Sequence, residues 1–232
     1  MPTLDPINGK DRVFGLGLNK TGTTTLGVCL RTLGYRHAPF AGKLLPAVKQ
    51  GRLDEAFEFA TAYESFEDWP WPLMYRELEE RYPEARFILT TRSDSEAWYE
   101  SLCLHAERTG PTPERSLVYG FDRPQGHALE HKRFYEEHNQ AVLAHFAGRP
   151  ESLLHVCWDK GASWPQLCAF LGEDIPRQRF PRPGTEATDD AAPQPASGSD
   201  SDVTRSRADD PGNAAKRSAW ADSGDSAGAS AT

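Results

Sequence analysis

Three groups of residues in this chain have types and spacings that could do chemistry. The first is Gly17-Leu18-Asn19-Lys20-Thr21-Gly22-Thr23-Thr24-Thr25. It stands between an apolar run from Val13 to Leu18 and a set of apolar residues, Leu26, Cys29, Leu30 and Leu33, at helical spacing. That order reads as a short buried strand, a glycine-rich turn and the start of a helix, with Gly34 placed for a left-handed helix stop. A helix starting at such a turn directs unpaired N–H groups and the positive end of its dipole into the turn. Gly17 and Gly22 let the backbone close around an anion, Lys20 adds a positive charge, and Thr21, Thr23, Thr24 and Thr25 add hydroxyl donors. The chemistry is that of a cradle for a phosphate or sulfate group.

The second group is Arg92 with Ser101, where an arginine at a strand end and a serine on the next helix can hold a second phosphate. The third is Glu67-Asp68, ahead of the rigid run Trp69-Pro70-Trp71-Pro72. Its two carboxylates, like the imidazoles of His105 and His37, are groups that can accept a proton. Among Trp69, Trp71 and Phe40, desolvation should raise the pKa of Asp68 toward that of a useful base. The same aromatics, with Tyr119 and Phe121, would form an apolar pocket for an acceptor.

The elements that must position these groups alternate. Val13 to Leu18, Ala62 to Phe66, Arg86 to Thr91 and Leu153 to Trp158 read as strands. Helical patterns cover Lys43 to Gln50, Leu53 to Phe59, Leu73 to Tyr82, the stretch capped by Asp94 or Ser95 through Leu104, Lys132 to Phe146, and Ser163 to Leu171. His105 to Glu130, rich in Gly and Pro, reads as a long irregular lid or binding loop. Alternation predicts an α/β fold of three layers, α/β/α, with a mainly parallel central sheet and ligands at the carboxyl ends of its strands.

Composition bounds the rest. The 232 residues read as one domain, 1–184, and a tail, 185–232, which contains no Leu, Ile, Met, Phe or Tyr. Such a tail cannot bury enough apolar surface to offset its ordering and is expected to be disordered. With nine acidic and four basic residues it carries five of the eight excess negative charges, so the folded part is nearly balanced. That argues against a nucleic-acid binder with a broad basic face. No apolar run suits a membrane span and no leader is evident at Met1. Cys29, Cys103, Cys157 and Cys168 lack metal or disulfide-framework spacing, and Cys29, Cys157 and Cys168, set among apolar residues, read as free buried thiols. The expectation is a soluble, cytoplasmic protein; its oligomeric state is not legible.

The nucleotide-hydrolase loop, G-x-x-x-x-G-K-[ST], needs its lysine directly after the second glycine, where this chain has Thr23. Lys20-Thr21-Gly22-Thr23-Thr24 instead resembles the 5′-phosphosulfate loop of the sulfotransferases, whose pattern is Lys-Ser/Thr-Gly-Thr-Thr. The resemblance extends to the strand end Leu89-Thr90-Thr91-Arg92 and to Glu67-Asp68-Trp69-Pro70-Trp71. It also takes in Trp98-Tyr99-Glu100-Ser101, and Trp164 to Gly172 followed by Pro176 and Phe180-Pro181. It covers residues 12–184 and points to a compact bacterial-type branch with a P-loop nucleoside triphosphate hydrolase-like fold.

The resemblance implies transfer of a sulfuryl group from 3′-phosphoadenylyl sulfate to a hydroxyl or amine of a small acceptor, without a metal. Lys20 would stabilise the leaving phosphate and Thr21 to Thr25, with Gly22, would hold the 5′-phosphate, while the base would be Asp68 as first choice, Glu67 as its immediate rival, and His105 or His37 as further candidates. Arg92 and Ser101 would bind the 3′-phosphate, helped by Lys160 and Gly161. The Arg92 to Ser101 spacing is one residue longer than the family form, so Ser93 or Ser95 could take the place of Ser101. The sequence leaves two alternatives: a P-loop kinase or nucleotide hydrolase, and a non-catalytic nucleotide-binding module.

Overall fold

The computed structural model describes residues 10–181; the tail 185–232, expected to be disordered, lies outside them. Four strands, β1 (Val13–Gly15), β2 (Ser65–Phe66), β3 (Arg86–Thr91) and β4 (Leu153–Cys157), pair in the order β2-β1-β3-β4. Every pairing is parallel, with Phe14 beside both Phe66 and Phe87, and Thr91 beside Cys157. The chain moves from β1 outward to β2 and returns on the other side of β1 to β3. The crevice between the carboxyl ends of β1 and β3 is therefore the switch point where open parallel sheets bind ligands.

Alternate residues of each strand face opposite layers, which sets the two main parts of the core. Phe14, Phe66, Phe87 and Leu89 face one side with Trp71, Met74, Leu78, Val142 and Phe146. These come from a 3₁₀ turn at Trp71–Met74 and from helices α4 (Tyr75–Arg81) and α7 (Ala128–His145). Helices α2 (Leu45–Lys49) and α3 (Asp54–Ala60) cover the same layer. Val13, Ile88 and Val156 face the other layer, against Leu26, Cys29 and Leu30 of α1 (Thr23–Thr32) and Leu167 and Cys168 of α8 (Trp164–Leu171). The architecture is three-layer α/β/α with a P-loop-like order of elements. A third cluster, Leu18, Trp69, Trp98, Leu102, Tyr119 and Tyr135, packs beside the loop after β1.

Two sequence expectations are corrected. The stretch 105–130 is not one irregular loop: α5 runs Ser95–Thr109 and α6 runs Pro113–Tyr119. Its glycines and prolines punctuate helices. Gly110 and Gly120 are C-caps at φ 69° and 82°, and Thr112 caps α6 by accepting from Arg115 N, with Pro113 in the first turn. The outer strands are also shorter than expected, because β2 pairs only at Ser65 and Phe66 before the turn at Asp68. Among the described residues, no helix is long and apolar enough to cross a membrane, and all four cysteines are free thiols.

Candidate functional site

Parallel strands put all their carboxyl ends on one edge of the sheet. The Lys20 loop follows β1, Glu67 and Asp68 follow β2, Arg92 follows β3, and Trp158–Lys160 follows β4. All the chemically loaded stretches of the sequence therefore meet at that edge.

The loop after β1 is shaped from below and from both flanks. Thr21 is fully buried; its hydroxyl donates to Leu18 O at 2.6 Å and pairs with Thr90 Oγ1 at 2.7 Å. A Cβ on Gly17 would lie 2.0 Å from that Thr90 hydroxyl and 2.5 Å from Thr90 O, so only glycine fits. Two indoles grip the loop: Trp98 Nε1 donates to Asn19 O at 2.9 Å and Trp158 Nε1 to Gly22 O at 3.2 Å. Tyr119 OH donates to Asn19 Oδ1 at 2.6 Å. The hydroxyl of Thr21 thus serves the loop's own shape, which corrects its expected use on an anion.

Above this frame the first turn of α1 is open to an anion. Gly22 is its N-cap at φ 90°, no side chain caps it, and no acidic residue lies in its first turn. A helix start of this kind leaves N–H groups without intrahelical acceptors. Thr24 is exposed, whereas Thr23 and Thr25 are buried. Lys20 adopts a left-handed backbone, φ 69°. Burial, then the charge of Arg108, pull its pKa down, and the Asp68 carboxylate works against them. These residues fit a phosphate or sulfate group carrying negative charge.

The two carboxylates diverge. Asp68 is also left-handed, φ 61°, and accepts from Trp69 N at 2.8 Å. Desolvation, then the neighbouring Glu67 carboxylate, push it up to about 7, against the opposing effects of the Trp69 N–H and Lys20. Glu67 instead lies 4.0 Å from His37 Nε2, and His37 bonds Ser65 Oγ at 2.9 Å. Glu67 Oε2 is buried without a protein partner, so Glu67 stays a rival. His105, on α5, is pulled down to about 4 by burial and then by Lys20, Arg115 and Arg108. An imidazole so depressed is a weak base near neutral pH, which sets it behind Asp68.

At the β3 end, Arg92 donates from Nε to Asp159 Oδ2 at 2.7 Å, and its N–H donates to Tyr135 OH at 2.9 Å. Ser95 is engaged with Glu136 at 2.5 Å, and Ser93 is exposed. Ser101 is half-buried on α5, one and two turns before His105 and Arg108 on the same stripe. Lys160 is exposed and Gly161 ends the turn at φ 88°.

The expected acceptor wall is only partly assembled. Tyr119 packs edge-on against Trp69, with burial and then Asp68 raising its phenol pKa. Phe40 is 61% exposed and folds over Gly42 close to the Glu114 carboxylate. Trp71 is fully buried between Phe14, Phe59 and Phe66, and is a core residue rather than a pocket wall. Phe121 stacks on His127 at 3.6 Å, next to His131.

Sequence reasoning missed Arg108, Arg115 and Trp158. Arg115 is 3% exposed and bonds Gly110 O and Thr109 Oγ1, closing the α5–α6 turn. The stripe Ser101, His105, Arg108 would have revealed Arg108 had α5 been carried past Leu104. Among the described residues, no three His, Cys, Asp or Glu side chains form a metal-binding group.

A family model described as a sulfotransferase domain matches residues 12–129 and 115–188. No curated protein matches the chain.

Proposed function

Since the chain belongs to the sulfotransferase family, whose reaction is sulfuryl transfer, we propose that its donor is 3′-phosphoadenylyl sulfate and its acceptor a small hydroxyl or amine compound. The observation that carries this reading is the uncapped, glycine-started α1 beside Lys20, with Arg92 at the next strand end.

In this reading the first-turn N–H groups and the Thr24 hydroxyl hold the 5′-phosphate. Arg92 binds the 3′-phosphate through its guanidinium, with Ser101 and Lys160–Gly161 beside it. Lys20 meets the charge that grows on the oxygen bridging phosphorus and sulfur as that bond breaks. Asp68 takes the proton from the acceptor as its oxygen or nitrogen bonds to sulfur, leaving adenosine 3′,5′-bisphosphate. A carboxylate poised near neutrality suits that task. Tyr119, Trp69 and Phe40 border the acceptor. The enzyme works in the cytoplasm, in keeping with its free thiols.

The test is transfer of radiolabelled sulfate from 3′-phosphoadenylyl sulfate to a panel of phenols, alcohols and amines. Transfer that is lost in Lys20→Ala supports the reading, and transfer unchanged in Lys20→Ala overturns the role given to Lys20.

A further inference from the structure

Trp158 flanks the loop on the β4 side. Its Nε1 donates to Gly22 O, the carbonyl that also accepts from Leu26 N at 3.1 Å. The indole edge lies so close that a Cβ on Gly22 would sit 2.3 Å from Cδ1. Gly22 O and the N–H of Thr23 belong to one planar peptide unit, so fixing the carbonyl fixes the direction of that N–H. A glycine at φ 90° has the freedom to turn this unit, and the Leu26 N–H and the indole hold its carbonyl together from two sides.

What holds the indole comes from the far end of the domain. Trp158 meets Phe180 with ring centroids 5.1 Å apart, and Phe180 packs edge-on against Trp164 at 5.3 Å. Trp164 Nε1 donates to Gln178 O at 3.0 Å, and Gln178 Nε2 donates to Thr32 Oγ1 at 2.7 Å. The segment after α8 is thus tied to α1 and braces the ring against the start of the same helix.

We propose that Trp158, braced by Phe180, is a positioning residue for the donor: it aims the Thr23 N–H at the 5′-phosphate and so sets donor affinity. The inference rests on the donor reading above. Neither residue has a place in the acceptor wall, so the effect belongs to the donor side.

Trp158→Phe keeps a ring against Phe180 and removes the N–H. Phe180→Leu touches the indole without touching the loop, and serves if Trp158→Phe does not fold. Calorimetric titration with adenosine 3′,5′-bisphosphate should show about 5-fold weaker binding for Trp158→Phe, as loss of one hydrogen bond implies. The Phe180→Leu loss should be about 3-fold. The KM for the donor should rise while the acceptor KM stays at its wild-type value, both measured well below the thermal midpoint of each variant. Unchanged bisphosphate affinity in both variants overturns the proposal. So does an equal rise in both KM values, or a loss that tracks lowered stability. A wild-type protein that binds no bisphosphate overturns the donor reading itself, whatever the variants do.

Discussion

Lys20 and Asp68 are the two non-glycine residues with a left-handed backbone among the described residues, at φ 69° and 61°, and their charges act on each other. Such backbones cost on the order of 1 kcal/mol each and persist where surrounding structure enforces them, often at functional sites. One residue lies within a loop shaped by buried threonines and indoles; the other sits in a turn pinned by its own bond to Trp69 N. Strain is concentrated on the pair that would stabilise the leaving group and accept the proton.

The Lys20 backbone separates strain from chemistry. Glycine accepts the left-handed conformation and alanine does not, so Lys20→Gly should be about 1 kcal/mol more stable than Lys20→Ala in urea unfolding. Both should lose about 10²- to 10³-fold in the rate of transfer. Equal stabilities would mean that the Lys20 backbone carries no strain.

In the proposed reaction, Asp68 sets the pH dependence. As a base it works only when deprotonated, so kcat/KM should rise with pH through a midpoint near 7. Asp68→Asn should lose that limb and about 10²-fold or more of the rate. The sign for stability is opposite to that of a salt-bridged carboxylate. The folded pKa lies above the unfolded value, so the folded state binds more protons between about pH 4 and 7, and stability falls across that window as pH rises. Asparagine retains the acceptor for Trp69 N and tolerates a positive φ. Asp68→Asn should therefore be more stable than wild type at about pH 8, by a few kcal/mol at about 1.4 kcal/mol for each pH unit between the two pKa values, and equal to it at about pH 3. A variant less stable than wild type at the higher pH would contradict the raised pKa.

Gly17 tests the frame under the loop. A methyl group there would press on both the hydroxyl and the carbonyl of Thr90. Backbone cannot swing aside as a flexible side-chain tip can, so Gly17→Ala should cost about 3 kcal/mol or more in denaturant unfolding. Wild-type stability would show that the loop is looser than these contacts require.

Much of this was legible because it is local. Lys20 to Thr25 and Arg92 declare themselves through short motifs at strand ends, and the β3 strand Arg86–Thr91 is an uninterrupted β-prone run. The stretch around α6 reads as a loop because Gly110, Thr112-Pro113 and Gly120, which are helix boundaries, look like loop composition one residue at a time. Arg108 and Arg115 come near Lys20 only once α5 and α6 fold over the sheet edge, and Trp158 meets Gly22 across 136 residues. Such proximity has no signature in spacing. Trp71 and Trp69 sit two residues apart in sequence, yet one enters the core and the other packs against Tyr119.

In the proposed function, this edge holds a nucleotide with phosphates at both ends, one at the start of α1 and one at Arg92. Calorimetric titration of wild type and Arg92→Ala with adenosine 3′,5′-bisphosphate, adenosine 5′-monophosphate and ATP–Mg²⁺ tests it most directly. Wild type should bind the bisphosphate at least about 10-fold more tightly than the monophosphate, and Arg92→Ala should remove most of that difference. Equal affinity for bisphosphate and monophosphate, or binding of ATP–Mg²⁺ alone, would contradict it.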